Sequence, residues 1–388
     1  MKIIHLADTH LGHSDYSKYD ENGRNQREVD FEEAFKQAID YALESRPEMI
    51  LHSGDLFDKV RPSNRTIAFA IGQIVKLSKA EIPFLVISGN HDNPKLKETG
   101  SVLKLFEHIP NVYPIYKGRY EWRDLEFHGN GDEEKLRVHT IPQCISQDAF
   151  SEGLESAIKN RGEGYNILVV HAGVKGIEVF STGEHDELIM PTGYFKEFDY
   201  VALGHYHDYT EVEENAYYPG SSEYLSFNEA DKEKAIIEIE FKKDGIKYNK
   251  IPLSPRSMID FSIRCDNLTR EEIVGKMEEI ISSVDINEKI IRIKLLDIYR
   301  HIYNEIDRKS IKEEAEKEFG AFYFKIEHKF KEEEETGGVG AMKIGSLTKE
   351  WEEFISKVST EKMKGMEKKR LKDLGLRYIE DVMEGEEE

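Results

Sequence analysis

Cysteine is nearly missing from this 388-residue chain. The two present, Cys144 and Cys265, have neither CxxC spacing nor a framework, which excludes a cysteine-rich structural zinc site and suits a reducing compartment. No apolar run approaches the ~20 residues needed to span a bilayer, and the N-terminus enters a strand-like run at once, without a basic stretch and signal core. A soluble, cytoplasmic protein is expected. Positive charge is also short, since 54 Lys and Arg against 76 Asp and Glu leave a net charge of −22. Taken alone, that balance argues against nucleic acid, whose phosphates are normally met by basic side chains. Much of the acid is gathered in runs such as 332–335 and 386–388, however, and divalent cations would invert the local sign.

What the chain does have is length for two or three domains and 39% hydrophobic residues to fill their cores. Five apolar runs each end abruptly in metal-competent side chains. Ile3 to Ala7 runs into Asp8-Thr9-His10, and Met49 to His52 into Gly54-Asp55-Leu56-Phe57-Asp58. Pro83 to Ile87 runs into Gly89-Asn90-His91-Asp92, Ile167 to Val170 into His171, and Tyr200 to Leu203 into Gly204-His205-Tyr206-His207. These read as buried strands that deliver ligands at their tips. Asp8, His10, Asp55, Asn90, His171, His205 and His207 offer oxygen and nitrogen without thiolate, a set suited to Mn²⁺, Fe²⁺ or Zn²⁺ more than to Ca²⁺ or Mg²⁺. They are too many for one ion, but two ions ~3.5–4 Å apart, sharing one bridging carboxylate, would use them all. Asp8 and His10, like His205 and His207, are two apart, so an extended backbone would turn each pair to one side. His5 and His52 lie inside their strands and read as core or as outer partners.

Between these runs, residues 11–26 read as a polar, substrate-facing loop. Apolar spacing predicts a helix over 28–45, a turn and N-cap at Arg61-Pro62-Ser63, a helix through Leu77, and another over 99–108. Antiparallel strands are expected at 111–116, 121–127 and 136–141, a helix at 148–159, and a hairpin of 234–241 with 246–253. A domain edge falls near Pro255. Residues 256–330 then read as strand 258–264, helix 269–283, strand 289–296, helix 304–319 and strand 321–328. Residues 331–345, acidic and then glycine-rich, read as a linker. In 346–388, Trp351, Phe354, Ile355 and Leu371 line one face of short helices and suggest a partner surface, the alternative being docking on the preceding domain. No solenoid-type repeat occurs.

Asp-Thr-His, Gly-Asp-Leu-Phe-Asp, Gly-Asn-His-Asp, His-Ala-Gly and Gly-His-Tyr-His resemble the motifs of calcineurin-type metallophosphoesterases, over about residues 1–255. Asp8-Thr9-His10-Leu11-Gly12 with Gly54 to Asp58 and Arg61-Pro62-Ser63 is most similar to the Mre/SbcD-type nucleases of DNA double-strand-break repair. That resemblance implies an α/β fold, a four-layer α/β/β/α sandwich with a small α+β capping domain (256–330) and a linked helical segment (346–388). It implies two Mn²⁺ per subunit, one on Asp8, His10, Asp55 and His207 and the other on Asp55, Asn90, His171 and His205. His91 would stabilise the transition state or protonate the leaving oxygen, which agrees with the need of an unactivated alkoxide for a proton. Asp92 would orient His91 or cap the following segment. Many family members carry a second histidine where this chain has Asp58, and a carboxylate cannot do a neutral imidazole's work. Asp58 is thus left between a catalytic role beside His91 and a structural one as a cap or partner of Arg61.

The resemblance further implies 3′–5′ exonuclease action on double-stranded DNA and endonuclease action on single strands. It also implies a homodimer through helices near 63–79 and 95–108, and an SMC-like coiled-coil ABC-type ATPase bound by 346–388. A metallophosphodiesterase or phosphatase acting on non-DNA substrates would use the same metals. Asp58-Lys59-Val60, where protein phosphatases usually have Asp-Arg-Gly, and the extra C-terminal parts favour the nuclease. A degenerate scaffold would have lost ligands, and none is missing.

Overall fold

The computed structural model describes residues 1–94, 100–128, 133–176, 187–242 and 245–331, and beyond them 351, 355, 372 and 374–376. Met1–Lys331 form one compact unit and Glu332–Glu388 a second. The chain opens with β1 (Lys2–Leu6), α1 (Gln26–Ser45), β2 (Met49–His52), α2 (Asn64–Lys79), β3 (Phe84–Ile87) and β4 (Val112–Ile115). The four strands are parallel, each hydrogen-bonded to the next. An antiparallel pair follows, β5 (Glu121–His128) and β6 (Glu133–Ile141), then α3 (Gln147–Lys159) and β7 (Tyr165–His171). After the short pair β8 (Gly173–Val174) and β9 (Ile189–Met190) come β10 (Tyr200–Gly204), β11 (Thr210–Glu213), β12 (Ala216–Tyr218), β13 (Ala235–Lys242) and β14 (Gly245–Pro252). Two mixed six-stranded sheets result, ordered β14-β13-β1-β2-β3-β4 and β11-β12-β10-β7-β6-β5.

The central strands are largely apolar because both of their faces are covered. Alternate side chains divide between two cores. Ile4, Leu6, Ile50, Phe84 and Val86 pack under Phe35 and Ile39 of α1 and Ile74 and Leu77 of α2. Ile3, Met49, Leu51, Leu85 and Ile87 instead meet Val138, Ile167, Val169, Tyr200 and Ala202 of the other sheet. Beyond that sheet, Leu168, Val170, Val201 and Leu203 pack with Phe150 and Leu154 of α3. Asn25 caps α1 by accepting from Arg27 N, and Ser63 caps α2 by accepting from Thr66 N.

Three details differ from the sequence expectation. Strand 111–116 is parallel to β3 and ends the first sheet, where Pro114 tolerates an edge position. The helix expected over 99–108 is a 3₁₀ helix, Val102–His108, and 95–99 lie outside the described residues. The helix expected over 304–319 is two, because Asp307 turns out of helical geometry and caps a new one by accepting from Ser310 N.

That region is built from β15 (Met258–Arg264), α4 (Arg270–Ser283), β16 (Ile290–Ile298), α5 (Arg300–Glu305), α6 (Arg308–Lys317) and β17 (Tyr323–Phe330). Its three strands are parallel, and Ile273, Met277, Ile293, Leu295 and Phe324 fill a core of its own. Arg256 ties it to α1 with a two-pronged contact to Asp30 (2.8 Å each), while its guanidinium lies 4.0 Å over Phe322. Tyr16, in a left-handed turn of the 11–26 loop, stacks on Tyr323 at 4.1 Å. In the C-terminal unit the Trp351 indole donates to the Lys372 carbonyl at 3.1 Å. The expected linker beyond Lys331 and most of 346–388 lie outside the described residues. No helix among the described residues is long and apolar enough to cross a membrane.

Candidate metal centre

The C-terminal ends of β1, β2, β3, β7 and β10 converge at one edge of the paired sheets. Asp8, His10 and His207 bring ligand atoms within 4.8 Å of one another, as do His10, Asp55 and His91, and again Asp8, Asp55 and His171. Asn90 joins them through its side-chain oxygen, 2.8 Å from His171 Nε2. His205 joins through its backbone N–H, which donates to both Asp8 oxygens (3.2 and 3.0 Å), while its ring packs edge-on to His171. All seven expected ligands and His91 therefore meet in one place.

They do not meet by strand alternation. Asp8 (φ 50°), His10 (φ 42°), Asp55 (φ 54°) and His205 (φ 112°) lie at or beyond the strand ends with left-handed backbones, a conformation that costs L-residues of order 1–3 kcal/mol each. Backbone bonds hold these turns: Asp8 N donates to Gly54 O, His10 N to Asp55 O and Leu11 N to Leu56 O. Asp92 closes the third turn by accepting from Gly89 N, Leu56 N and, at 3.4 Å, Phe57 N, so its carboxylate is spent on loop amides. Glycine is required where the turns pack closest. A Cβ on Gly54, itself at φ 103°, would fall 2.3 Å from His171 Nδ1, and one on Gly89 would fall 2.2 Å from Asp55 Oδ1.

The imidazoles are oriented from behind. His171 Nδ1 faces the Ser53 carbonyl at 2.9 Å, which leaves Nε2 to point at Asp55 Oδ2, 3.2 Å away. His207 Nδ1 is 3.1 Å from Glu229, a buried carboxylate paired at 2.6 Å with the buried Lys234 ammonium. His10 Nδ1 lies 3.5 Å from Asp58, and His205 Nε2 lies 3.3 Å from Glu187. Partners of this kind fix ring orientation in metal sites. Burial opposes ionisation of Asp55, yet His171 and His10 hold its carboxyl well below the usual carboxylate range. Burial likewise opposes protonation of His171, but Asp55 and Asp8 outweigh it and push the imidazole up to about 9.

The residues fit two divalent ions. With Nδ1 turned to Asp58, His10 Nε2 is buried without a hydrogen-bond partner, which is costly unless something else engages it. Two buried carboxylates face the same space, and the donor set has no thiolate.

His5 spans Tyr200 and Ser53 (2.8 Å each), and His52 lies 3.0 Å from Thr9 Oγ1. Asp58 directs its carboxylate at His13 (3.0 Å) and His10, while its backbone carbonyl faces His91 Nδ1 at 3.3 Å. His13, Glu187 and Glu229 were not anticipated. His13 had the faint signal of a third polar position after Asp8-Thr9-His10, but the two glutamates belong to connecting segments without any local pattern.

Paired mixed sheets whose strand ends gather carboxylates and imidazoles define a metallophosphoesterase hydrolase, and a family model described as Calcineurin-like phosphoesterase matches residues 1–209. Several archaeal proteins called DNA double-strand break repair protein Mre11 resemble the chain. That of Sulfurisphaera tokodaii is 30% identical over 286 residues, 70% of this chain and 67% of its own length. The Thermoplasma acidophilum protein is 29% identical over 301 residues, 74% of each. The Archaeoglobus fulgidus protein is 25% identical over an alignment covering 100% of this chain and 92% of its own. The chain belongs to the Mre11 family of calcineurin-like phosphoesterases.

Proposed function

We propose that this protein is a manganese-dependent DNA nuclease that processes DNA ends in double-strand-break repair. The observation that carries the reading is the placement of Asp55: its Oδ2 lies 3.2 Å from His171 Nε2 and 3.9 Å from His10 Nε2, between the two halves of the ligand set. In this reading Asp8, His10, Asp55 and His207 would hold one ion and Asp55, Asn90, His171 and His205 the other, with the Asp55 carboxylate shared between them. When bound, the two ions supply an activated water and offset the charge of the phosphodiester. The protein's part is to exclude disorder from that geometry. Ser53, Glu229, Asp58 and Glu187 fix the imidazoles, and the Gly54 and Gly89 turns fix the carboxylates.

His91 stands apart from the ligands in role. Its backbone N–H donates to Asp55 Oδ1 at 2.9 Å, its ring packs edge-on to His10 at 4.7 Å, and Nδ1 faces the Asp58 carbonyl. In this reading the His91 imidazole passes a proton to the leaving 3′ oxygen. Phosphodiester chemistry at a partly buried site agrees with the relatives' name, and the 3′–5′ exonuclease and single-strand endonuclease activities belong to the same proposal. So do homodimerisation through α2 and the 95–108 segment, and docking of a coiled-coil ABC-type ATPase on 346–388.

The test incubates the purified full chain with end-labelled double- and single-stranded DNA in Mn²⁺, Mg²⁺ or EDTA. Nucleotide release in Mn²⁺, lost in EDTA, supports the reading. Hydrolysis of phosphomonoesters with intact DNA would sink it.

A further inference from the structure

We propose that Phe227 is a positioning residue of the metal centre: seated against the three-stranded C-terminal sheet, it sets, through Glu229, the orientation of the His207 imidazole. The inference rests on reading His207 as a metal ligand. Its starting point is a single 3₁₀ turn between β12 and β13, Phe227–Glu229, which Ser226 caps by accepting from Asn228 N (3.3 Å). With about three residues per turn and a rise of about 2 Å per residue, side chains two positions apart stand roughly 4 Å apart along the axis and point to different sides. Phe227 and Glu229 are both buried, so the turn has two separate seats.

The first seat belongs to the C-terminal sheet. Phe227 packs with Met258 at the start of β15, Ile290 at the start of β16 and Phe322 just before β17. The Arg292 guanidinium lies 4.4 Å over its ring, a contact that favours one ring position. Arg292 is itself held. It donates two bonds to Asp260 of β15 (2.9 and 2.7 Å) and one to Glu327 of β17 (3.0 Å), so all three strands fix the group that faces Phe227.

The second seat belongs to the metal centre. Glu229 Oε2 accepts from the Lys234 ammonium (2.6 Å) and Leu225 N (3.3 Å), while Oε1 faces His207 Nδ1 at 3.1 Å. The His207 carbonyl accepts from Ser221 N and from Lys234 Nζ (3.0 Å each), so the residue is gripped at its backbone and at its ring. That ring stands edge-on to His10 at 5.1 Å, and a ligand atom of His207 lies within 4.8 Å of those of Asp8 and His10. Neutralising Lys234 needs only Oε2. The placement of Oε1 on the imidazole is what the turn adds, and Phe227 locates the turn.

The experiment uses the full-length protein and compares wild type with Phe227→Ala, Phe227→Leu and Met277→Ala. Met277→Ala is the control, because it hollows the core under α4 and lies in a different apolar cluster from Phe227. Two quantities are read: Mn²⁺ affinity by calorimetry with the metal alone, and the His207 ring resonance of the metal-free protein, assigned by its loss in His207→Gln. Phe227→Ala should bind one Mn²⁺ roughly 10- to 100-fold more weakly, the range for losing an outer partner of a metal-ligating histidine, and its His207 resonance should move. Phe227→Leu keeps most of the apolar volume and should lose less; it takes over both measurements if the alanine variant does not fold. Met277→Ala should match wild type in both. Mn²⁺ affinity within about twofold of wild type in the folded Phe227 variants overturns the proposal. An equal loss in Met277→Ala also overturns it, by making the effect a general loosening of the C-terminal sheet. If the wild type binds no Mn²⁺, the reading of His207 as a ligand fails on its own, and the metal-free resonance still decides. Moved in the Phe227 variants and unmoved in Met277→Ala, it supports the positioning of the ring; unmoved in all, it overturns it.

Discussion

Gly89→Ala is the sharpest probe of how closely the β3 turn packs on the metal centre. An ideal Cβ at this position would sit 2.2 Å from Asp55 Oδ1, 2.6 Å from Asp55 Cγ and 2.7 Å from Asp55 N. Gly89 is not in the left-handed region, so alanine has no backbone objection; the whole effect comes from contact. Real Cβ contacts start near 3.0 Å, so Asp55 or the turn must give way by about 0.8 Å, and a misplacement of that order at a reacting centre costs roughly 10²-fold in rate. The turn has little freedom, because Asp92 ties Gly89 N to Leu56 N and Asp55 Oδ1 accepts from His91 N. Asp55 is the side chain both ions would share, so Mn²⁺ affinity should fall together with diester hydrolysis. Overpacking of this kind typically destabilises by about 1–3 kcal/mol, which leaves a folded protein for the measurement. Gly275→Ala is the control: a Cβ there meets nothing within 4 Å inside α4, and helix propensity predicts a gain of about 0.5–1 kcal/mol. Calorimetric Mn²⁺ titration, bis(p-nitrophenyl) phosphate kinetics and urea unfolding read the three effects. Two full Mn²⁺ equivalents with wild-type turnover in Gly89→Ala would refute the placement of Asp55 against this turn.

His91→Asn should retain both ions by metal analysis while DNA hydrolysis falls roughly 10²- to 10⁴-fold, because it removes a proton donor and no ligand. Lys234→Met should destabilise by about 3–5 kcal/mol in urea unfolding, since Glu229 would lose the ammonium that balances it in a buried pocket. Burial lowers His139 to about 4, its Nε2 facing Asn166 and its Nδ1 the Tyr120 hydroxyl. Below pH 6.5 the unfolded chain therefore takes up a proton that the folded chain refuses. This group's share of stability is flat above 6.5 and falls by up to about 1.4 kcal/mol per pH unit down to about 4; urea midpoints of His139→Gln should show a shallower slope in that window. Deleting 346–388 should leave the melting temperature and nuclease rate of the remaining protein intact while abolishing co-purification with the coiled-coil ATPase. Truncated protein that still captures the ATPase would contradict that assignment.

The candidate site was legible in the sequence because a parallel strand buried on both faces is a largely apolar run, and metal-competent side chains stand within a few residues of where each run ends. That rule singled out Asp8, Asp55, Asn90, His171 and His205, which the fold brings together. It could not supply the geometry between them. Spacing of two suggested extended pairs, whereas Asp8, His10 and His205 adopt left-handed backbones that no period describes. The direction of the 111–116 strand was likewise invisible, because alternation is the same for parallel and antiparallel neighbours. Asp307 broke an otherwise helical pattern through a single capping bond to Ser310 N. Partners such as Glu187 and Glu229 are set by where connecting segments return to the site, and one sequence carries no period for that.

Tyr16 and Tyr323 have a mechanical meaning. The segment that carries His13 leaves the sheet edge, turns through left-handed Tyr16 and Ser17, and there presses a ring flat on β17. Lys18 strengthens the seam by reaching Glu316 (3.6 Å) and the face of Phe322. A displacement of the three-stranded C-terminal sheet therefore cannot leave this segment behind unless the stack parts. His13 lies three residues from that stack, so a shift of the outer sheet reaches the rim of the metal centre along a tether three residues long.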